Sequence, residues 1–461
     1  MSHPYVHQLS YKPVEPSANP RYRYLRIPMN NVTGSGFPVT TGASQLVEFR
    51  LPSCVYNLAQ SSVGYQLSFP AQGANLVSWS FEDCFDLATN AYFGTAGGLD
   101  LCNLNYVNRY TKIARKMKTK VGGFISTDST SQLAPCNVAA TANFYPVATG
   151  PSGGTGSSVN NIESKYIQTS VVNTATVRSR LFPLNGIVDT IFSVDKDLYI
   201  PTDMYIRFTA GVGSQMGFQS AAVNDPSTAP AALSGATGTI TVANMYLFLA
   251  VEQNQLIIDS VMSQVLSGGL KLNIPYTTAF RNATNGPVAN IQIPLTQQYG
   301  KRLKRMLHTV WSAIEASNTA LDCNNWNGNK IISYNTFMDQ RQLQDFQLST
   351  ADVSATAVNG DDWRENKKYI QDSVIFNRQV YGANWFHCDQ FYETQPHLGA
   401  DESQSDDGLV MDSPKLWMMQ AIMNNSVPGP AGVGFITAYN HYNFATFVRS
   451  IEINRTGVQF V

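Results

Sequence analysis

The sequence predicts an all-β protein built as a sandwich or a jelly roll. Many short segments alternate apolar and polar residues, helical patterns are few, and Asn-Gly pairs interrupt the chain at positions 185, 285, 327 and 359. Asn-Gly favours tight hairpin turns because both residues tolerate positive φ. Numerous short strands separated by such turns are typical of sandwiches and jelly rolls.

The composition agrees with a folded, contact-rich protein. Of 461 residues, 43% are apolar, which is enough for sizeable cores, but only 14% are charged, well below the usual ~25%. The net charge of −1 provides no overall field toward nucleic acid or an acidic membrane. We find no apolar run long enough to span a bilayer and no signal peptide at the N-terminus.

Residues 1–44 are predicted to form an extended N-terminal arm. Six prolines up to Pro38 exclude a helix and disfavour a central strand. Tyr5, Tyr11, Tyr22 and Tyr24 lie among them, whereas a merely disordered tail has few aromatic residues. We therefore expect the arm to lie on its own subunit or on a neighbouring one.

From residue 45 onward the alternation predicts strands in succession. The predicted strands are Gln45–Leu51, Val55–Phe69, Ile187–Phe192, Asp197–Ile200, Tyr205–Phe208, Ile240–Val251, Ile331–Phe337, Gly434–Tyr439, Phe444–Ile453 and Gly457–Val461.

Three segments have a helical pattern. Leu104–Met117 places apolar residues on one face and Arg109, Lys112, Arg115 and Lys116 on the other. Trp363–Ile370 follows Asp361 and Asp362, either of which can cap a helix. Lys301–Ile314 fits a helix or a strand.

Three long segments are predicted loops: Thr127–Asn161, Gly211–Gly238 and the acidic Glu393–Pro414. Loops of this length are uncommon in compact domains unless they have a function. Composition alone places a domain boundary in Gly211–Gly238. Because the first two loops are rich in small polar residues, we expect them on the outer surface.

The search for catalytic or metal-binding residues is negative. The chain has no nucleophile elbow, zinc-protease helix, phosphate loop or dinucleotide fingerprint. Six cysteines without a Cys-x-x-Cys pair argue against zinc and against a disulfide scaffold. His3 and His7 lie in the proline-rich arm, and His387 and Cys388 are adjacent, so a strand would point them to opposite faces. We predict no catalytic, cofactor-binding or metal-binding residues, no cofactor and no enzymatic activity.

The charged clusters and glycosylation signals have ordinary interpretations. The acidic loop at Asp401–Asp412 lacks calcium-loop spacing. The basic clusters at Lys112–Lys120 and Lys301–Arg305 fit solvated faces or subunit salt bridges, with phosphate contact as the alternative. Sequons at Asn31, Asn282, Asn424 and Asn454 are expected by chance in so Asn-rich a chain.

Five segments share their patterns with one known family: Tyr199–Phe208, Val242–Val251, Lys304–Trp311, Ser333–Asp345 and Tyr381–Phe391, the last including Asn384-Trp385-Phe386-His387. Together they resemble the double-jelly-roll major capsid proteins, and most closely those of Polinton-like and adintovirus-like elements. This group includes adenovirus hexon and the capsid proteins of virophages, tailless icosahedral phages and large DNA viruses.

The resemblance implies two consecutive eight-stranded jelly rolls with long loops and a few short helices. It moves the domain boundary to about Asp259, giving a first jelly roll at 45–258 and a second at 259–461. It makes Gly211–Gly238 a connection inside the first jelly roll, and it favours a strand for Lys301–Ile314.

The resemblance also implies a function in assembly. Three copies would form a pseudo-hexagonal capsomer, and capsomers would tile an icosahedral shell around double-stranded DNA, formed inside the host cell. The implied partners are further copies of the chain, penton and minor capsid or cement proteins, and an internal membrane reached by the N-terminal arm. Sequence-specific nucleic-acid binding is not expected.

Two other classes share parts of this pattern. A viral or secreted β-sandwich glycan-binding or spike protein would need exposed aromatic platforms, for which Trp385 and Trp417 are modest candidates. A carbohydrate-active enzyme would need a pair of carboxylates across a cleft, and no spacing in the chain identifies one.

Overall fold

The structure is a computed structural model of the 461-residue chain. It describes residues 21–31, 36–39, 44–69, 76–79, 87–111, 166–168, 176–211, 217–220, 231–232, 240–284, 290–294, 302–312, 331–338, 341–342, 348–349, 392–394, 409–410, 417–423 and 439–461.

Antiparallel strands dominate the described residues. The strands up to residue 252 are β1 (Tyr22–Pro28), β2 (Phe37–Val39), β3 (Gln45–Arg50), β4 (Tyr56–Phe69), β5 (Leu76–Trp79), β6 (Ala88–Thr95), β7 (Asp100–Asn105), β8 (Tyr166–Gln168), β9 (Thr176–Pro183), β10 (Asp197–Leu198), β11 (Met204–Ala210), β12 (Gly217–Ser220), β13 (Ala231–Ala232) and β14 (Ile240–Glu252). After helix α1 (Gln255–Ser267) come β15 (Leu270–Thr284), β16 (Asn290–Pro294), β17 (Arg302–Ser312), β18 (Ile331–Met338), β19 (Arg341–Gln342), β20 (Leu348–Ser349), β21 (Tyr392–Thr394), β22 (Leu409–Val410), β23 (Trp417–Met423), β24 (Tyr439–Asn454) and β25 (Gly457–Phe460).

The strands before α1 form three sheets. One has the order β1-β14-β4-β10, with β2 also paired to β14 and β9 to β4. The second has the order β3-β11-β6-β7, and a small third one has the order β13-β12-β5-β8. The predicted loop Gly211–Gly238 thus contributes β12 and β13 to this half of the chain.

The strands after α1 form two further sheets. One has the order β15-β24-β17-β21, with β22 on β17 and β25 on β24, and the other has the order β16-β23-β18-β19, with β20 on β18. Each described strand pairs only with strands of its own half, and the set of partners changes across α1. The predicted boundary at 258/259 lies within α1 and stays a prediction.

Strand β11 shows the alternation of buried and partly exposed side chains on which the strand predictions rest. In β11 the residues Met204, Ile206 and Phe208 are buried, whereas the intervening Tyr205 and Arg207 are partly exposed. Phe208 packs edge-on against Phe49 of β3, with ring centroids 6.4 Å apart. A period of two places one face of each strand in the core between the sheets.

Helix α1 was not predicted, although its signals are present. The Asn254 side chain caps it by accepting a 3.0 Å hydrogen bond from the Leu256 N–H. Ile257, Val261 and Val265, spaced four residues apart, form its buried face, and glycines follow at 268 and 269. The apolar residues Leu256, Ile257 and Ile258 are consecutive, so the four-residue spacing of the buried face was not recognised in the sequence.

Two local predictions are wrong. Residues 187–192 are not a strand: they lie between and within two short 3-10 helices, Leu184–Gly186 and Ile191–Ser193. Ile187, Ile191 and Phe192 are all buried, which a solvent-facing strand would not allow, and the Thr190 hydroxyl donates to the Ile187 carbonyl over 2.6 Å to fix the turn.

The predicted helix Leu104–Met117 begins later than expected. Leu104 and Asn105 end strand β7, Tyr106 turns the chain with a φ of 54°, and helical residues run from 107 to the last described position, 111. Arg109, assigned to the polar face, is only 8% exposed. Trp363–Ile370 lies outside the described residues.

Lys301–Ile314 contains strand β17, as the resemblance indicated, and the arm contains β1 and β2. Strand β1 is at the edge of its sheet and pairs along its full length with β14 of the same chain. Its one proline, Pro28, is the last residue of the strand, where a missing N–H does least damage to the ladder.

Candidate functional site: the seam between the two halves and the anchor of strand β1

Strand β24 is covered on both faces. Every residue from 440 to 448 is buried, whereas a strand in an antiparallel sheet with one wet face alternates. A second layer must therefore cover the outer face of this sheet. That layer comes from the first half of the chain, and we call this contact the seam.

Aromatic side chains form the centre of the seam. Tyr442 of β24 meets Tyr106 edge-on at 4.9 Å between ring centroids, and Phe444 meets Tyr110 at 5.1 Å. The Arg109 guanidinium lies 4.7 Å from the centroid of the Tyr442 ring. Edge-on rings and a cation over a ring are favourable arrangements for such side chains, and they explain why Arg109 is buried.

A polar cluster flanks these rings. The Tyr276 hydroxyl donates a 2.7 Å hydrogen bond to Asp100, and the Arg449 guanidinium lies 3.3 Å from the centroid of the Tyr276 ring. Arg449 also donates to the Asp100 carbonyl over 3.4 Å. Burial, followed by the hydrogen bond to Asp100, raises the pKa of Tyr276, so its hydroxyl keeps its proton and remains a donor.

Asp189 provides a second polar connection across the seam. Its carbonyl accepts a 2.7 Å hydrogen bond from the Thr277 hydroxyl of β15, and its carboxylate accepts a 3.2 Å bond from Tyr110. Asp189 has a φ of 52°, which turns its backbone between the two short helices. Thr277 in turn lies 3.0 Å from Thr446 of β24.

The apolar core continues through the seam. Leu104 and Ile191 from the first half belong to the same buried cluster as Ile274, Leu307 and Phe444 from the second. The two halves therefore share one contiguous core in the part of the chain that is described. Shared burial and satisfied polar groups fix the orientation of one sheet pair relative to the other.

Strand β1 is anchored at its first residues by buried charges. Arg21 forms ion pairs with Asp197 and, over 2.7 Å, with Glu252, and both carboxylate side chains are fully buried. Tyr22 donates a 3.0 Å hydrogen bond to Asp197, and burial together with this carboxylate raises the Tyr22 pKa. Glu252 also accepts the backbone N–H groups of Gln253 and Asn254 at 3.0 and 2.9 Å. We call this group the β1 anchor.

The sequence candidates that lie among the described residues do not form a reactive site. Among the described residues, no cluster of three or more His, Cys, Asp or Glu side chains could hold a metal ion. Cys54 and Cys102 are free thiols, and burial raises the pKa of both, which makes them poor nucleophiles. His3, His7, Cys388, the carboxylates of the acidic loop Asp401–Asp412 and most of the basic clusters lie outside the described residues, whereas Leu409 and Val410 of that loop form strand β22.

Other candidates have structural roles or stay untested. The Asn31 amide is bonded to the Leu46 carbonyl at 2.7 Å and to the Glu48 N–H at 2.8 Å. Trp417 begins strand β23, and Trp385 lies outside the described residues. Within the described part of the chain, no helix is both long and apolar enough to span a bilayer.

The residues of the seam and of the β1 anchor were missed by sequence reasoning. Asp100 and Tyr276 are 176 positions apart, and Arg21 and Glu252 are 231 apart. No local pattern marks such pairs, because an isolated tyrosine or arginine has the same appearance on any strand.

Comparison with solved structures identifies the fold. The chain is similar to the Faustovirus major capsid protein, with a TM-score of 0.56 at 10% identity over 97% of this chain and 92% of that one. It is also similar to PBCV-1 VP54 fitted into a reconstruction of the virophage Sputnik (TM-score 0.52, 8% identity, 98% and 99% covered). A third similar chain is that of the PBCV-1 virus capsid (TM-score 0.51, 10% identity, 98% and 99% covered).

No protein-family model matches the sequence, and no curated protein matches it. At this level of identity the likeness establishes the fold. The chain is a double jelly roll, and the predicted fold class is confirmed.

Proposed function

We propose that this double-jelly-roll chain is a major capsid protein of a double-stranded DNA virus. The observation that carries the proposal is the extent of the likeness: 97–98% of this chain aligns with 92–99% of chains from solved viral capsids. An agreement that includes both halves and the connection between them indicates a shared building block. A single jelly roll on an unrelated scaffold would match only one half.

The architecture suggests how such a block assembles. Each copy brings two jelly rolls, 45–258 and 259–461, whose orientation is fixed by the seam. Three copies then present six similar units, so a trimer has a pseudo-hexagonal outline. Such capsomers tile an icosahedral shell, and the protein resides in the virion capsid after assembly inside the host cell.

The composition supports an assembly role. Charged residues make up only 14% of the chain, and charged residues are depleted at the cores of protein interfaces. The role requires no catalytic residue and no cofactor, and we propose that the chain is not an enzyme. Its partners are further copies of itself, penton proteins and minor capsid or cement proteins.

Residues 1–20 precede strand β1 and its anchor, the first elements of the arm that the structure describes. We propose that they latch onto a neighbouring subunit or an inner layer such as an internal membrane. Because β1 and its anchor belong to the fold, a deletion of residues 1–20 tests this role, whereas removal up to Thr41 would also remove the edge strand. Trimers without normal shells are expected; normal shells from the deleted chain would contradict the latch.

A net charge of −1 suggests that the genome is enclosed and not condensed by this chain. We expect weak DNA binding that is insensitive to sequence. A filter-binding titration at low and moderate salt tests this, and tight binding that falls steeply with salt would contradict it.

Light scattering tests the assembly state. Three chains of 50.6 kDa give a mass of about 152 kDa, the mass expected for a closed trimer. A mass of one chain at all concentrations would overturn the capsomer.

A further inference from the structure

Strand β1 presents an exposed surface of unusual composition. Arg23, Tyr24, Leu25 and Arg26 are four consecutive exposed residues, with Tyr24 57% and Leu25 36% exposed. The strand is at a sheet edge. Leu25 is opposite the buried Leu249 and Arg26 is opposite Phe248, so Arg23 and Leu25 lie on one face and Tyr24 and Arg26 on the other. Tyrosine and arginine are the residues most enriched at protein interfaces.

The neighbouring strand extends this surface. Arg26 is opposite Phe248 in the β1–β14 register, and its guanidinium lies 3.5 Å from the centroid of the Tyr246 ring. The intervening Leu247 and Leu249 are fully buried in the core, so Tyr246 and Phe248 point to the opposite, half-exposed face. Tyr24 and Arg26 share this face with them, and we call these four residues, Tyr24 and Arg26 with Tyr246 and Phe248, the β1 surface.

The β1 surface has a positive charge that no described carboxylate neutralises. Arg26 forms no ion pair with any residue that the structure describes. The sheet β3-β11-β6-β7 differs in this respect, because Arg207 pairs with Glu48 at 2.6 Å and Arg50 with Asp203 at 2.9 Å. An arginine that stacks on a tyrosine ring without an ion pair therefore distinguishes the β1 surface from that sheet.

The outward face of α1 has the opposite character. Leu256 and Leu266 are 70% and 45% exposed. At 100° per residue, Asp259 and Ser263 lie between them on the same side of the helix. Asp259 is exposed and accepts a 2.7 Å hydrogen bond from Gln255, but it has no ion pair within the described residues. We call Leu256, Asp259, Ser263 and Leu266 the α1 stripe.

We propose that the β1 surface of one copy docks against the α1 stripe of a second copy. Both surfaces expose apolar side chains. The only charge on the β1 surface is positive, and the only charge on the α1 stripe is negative. Two such surfaces on one chain attract each other between copies. When the two patches pair head to tail, the contact is heterologous, and it closes into a ring if its rotation divides a full turn. This inference rests on the proposed function and names the surfaces that join its subunits.

Charge reversal tests the contact. The Arg26→Glu and Asp259→Arg variants each place like charges together, and we expect at least about a tenfold weaker association by light scattering over a dilution series. The double variant Arg26→Glu/Asp259→Arg restores opposite charges and should recover most of the association. Arg455→Glu, at an exposed arginine without an ion pair in the described part of the chain, is the matched control and should associate like the wild type.

Folding and function are separated within the same experiment. Asp259 is at an exposed helical position, so the Asp259→Arg variant should keep the wild-type circular dichroism spectrum and melting temperature. This holds even if the Arg26→Glu variant loses stability together with its Arg26–Tyr246 contact. If neither charge reversal weakens the association, or if the double variant associates as weakly as the single variants, this contact is overturned while the capsomer stands. A wild-type chain that is monomeric at every concentration would overturn the capsomer and this contact together.

Discussion

The Tyr276 hydroxyl donates a 2.7 Å hydrogen bond to the Asp100 carboxylate, joining strand β15 of the second half to strand β7 of the first. The Arg449 guanidinium covers the Tyr276 ring and also reaches Asp100. This three-residue arrangement connects the two halves through groups that are partly shielded from water. In such an environment a hydrogen bond to a charged acceptor contributes more than one at the surface.

The Tyr276→Phe substitution should lower the free energy of unfolding by about 1–2 kcal/mol, because the Asp100 carboxylate loses a donor while remaining partly buried. Denaturant titration measures the change. Tyr205→Phe, on the partly exposed face of β11, is the matched control and should change stability by less than about 0.5 kcal/mol. Equal effects of the two substitutions would show that the seam hydrogen bond contributes nothing specific.

The Arg21→Ala substitution should lower stability by about 3 kcal/mol, because it leaves the buried carboxylates of Asp197 and Glu252 without this cation. Arg50→Ala removes an arginine whose pair with Asp203 is 57% and 56% exposed, and it should cost about 0.5 kcal/mol or less. Thermal unfolding of both variants at one pH gives the comparison. A loss at Arg21 no larger than at Arg50 would argue against the β1 anchor.

His441 should make the fold sensitive to mild acid. It is fully buried on β24, and burial lowers its pKa from 6.5 to about 3. The unfolded chain therefore binds a proton near pH 6.5 that the folded chain takes up only near pH 3, so stability falls as the pH drops through this window.

The His441→Gln substitution tests this, since glutamine does not titrate. Between pH 6.5 and 5 the wild type should lose about 1.6 kcal/mol more than the variant, because the unfolded histidine is half protonated at pH 6.5 and each further pH unit then costs up to about 1.4 kcal/mol. Equal pH slopes for the two proteins would exclude a buried neutral histidine.

The turn before the last strand requires glycine at position 457. Gly457 has a φ of 131°, and a Cβ added there would lie 2.8 Å from the Thr202 methyl carbon of the first half. The Gly457→Ala substitution should cost about 2 kcal/mol through strain and this clash. Gly97→Ala is the control, because its Cβ would meet only Thr95 Oγ1 at 3.8 Å. Combining Gly457→Ala with Thr202→Ser should recover the part of the lost stability that the clash with the Thr202 methyl group causes. If no stability is recovered, the whole loss comes from backbone strain.

The sequence predicted those elements whose pattern is local. Strands β4, β11 and β14 were placed to within a few residues, and in β11 a single buried face imposes a period of two. Residues 187–192 were mistaken for a strand since Ile187, Ile191 and Phe192 are all buried through two short turns. The resemblance, and not periodicity, decided between helix and strand for β17.

The seam and the β1 anchor could not be predicted from sequence. The contacts across the seam and those of Arg21 join residues at least 88 positions apart, and their side chains are ordinary on their own strands. Arg109 shows the difficulty most clearly, because helical spacing places it on a solvated face. The second jelly roll covers that face, and the Arg109 guanidinium lies over the Tyr442 ring. Only tertiary packing determines which polar side chains are buried.

The central claim is that this chain is the building block of an icosahedral capsid, and electron microscopy of the purified oligomer tests it most directly. Two-dimensional class averages should show a closed trimer with a pseudo-hexagonal outline formed by six upright jelly rolls. Concentrated fractions should contain hexagonal arrays or shells. Averages that show only single double-jelly-roll chains, or open filaments without threefold closure, would contradict the account.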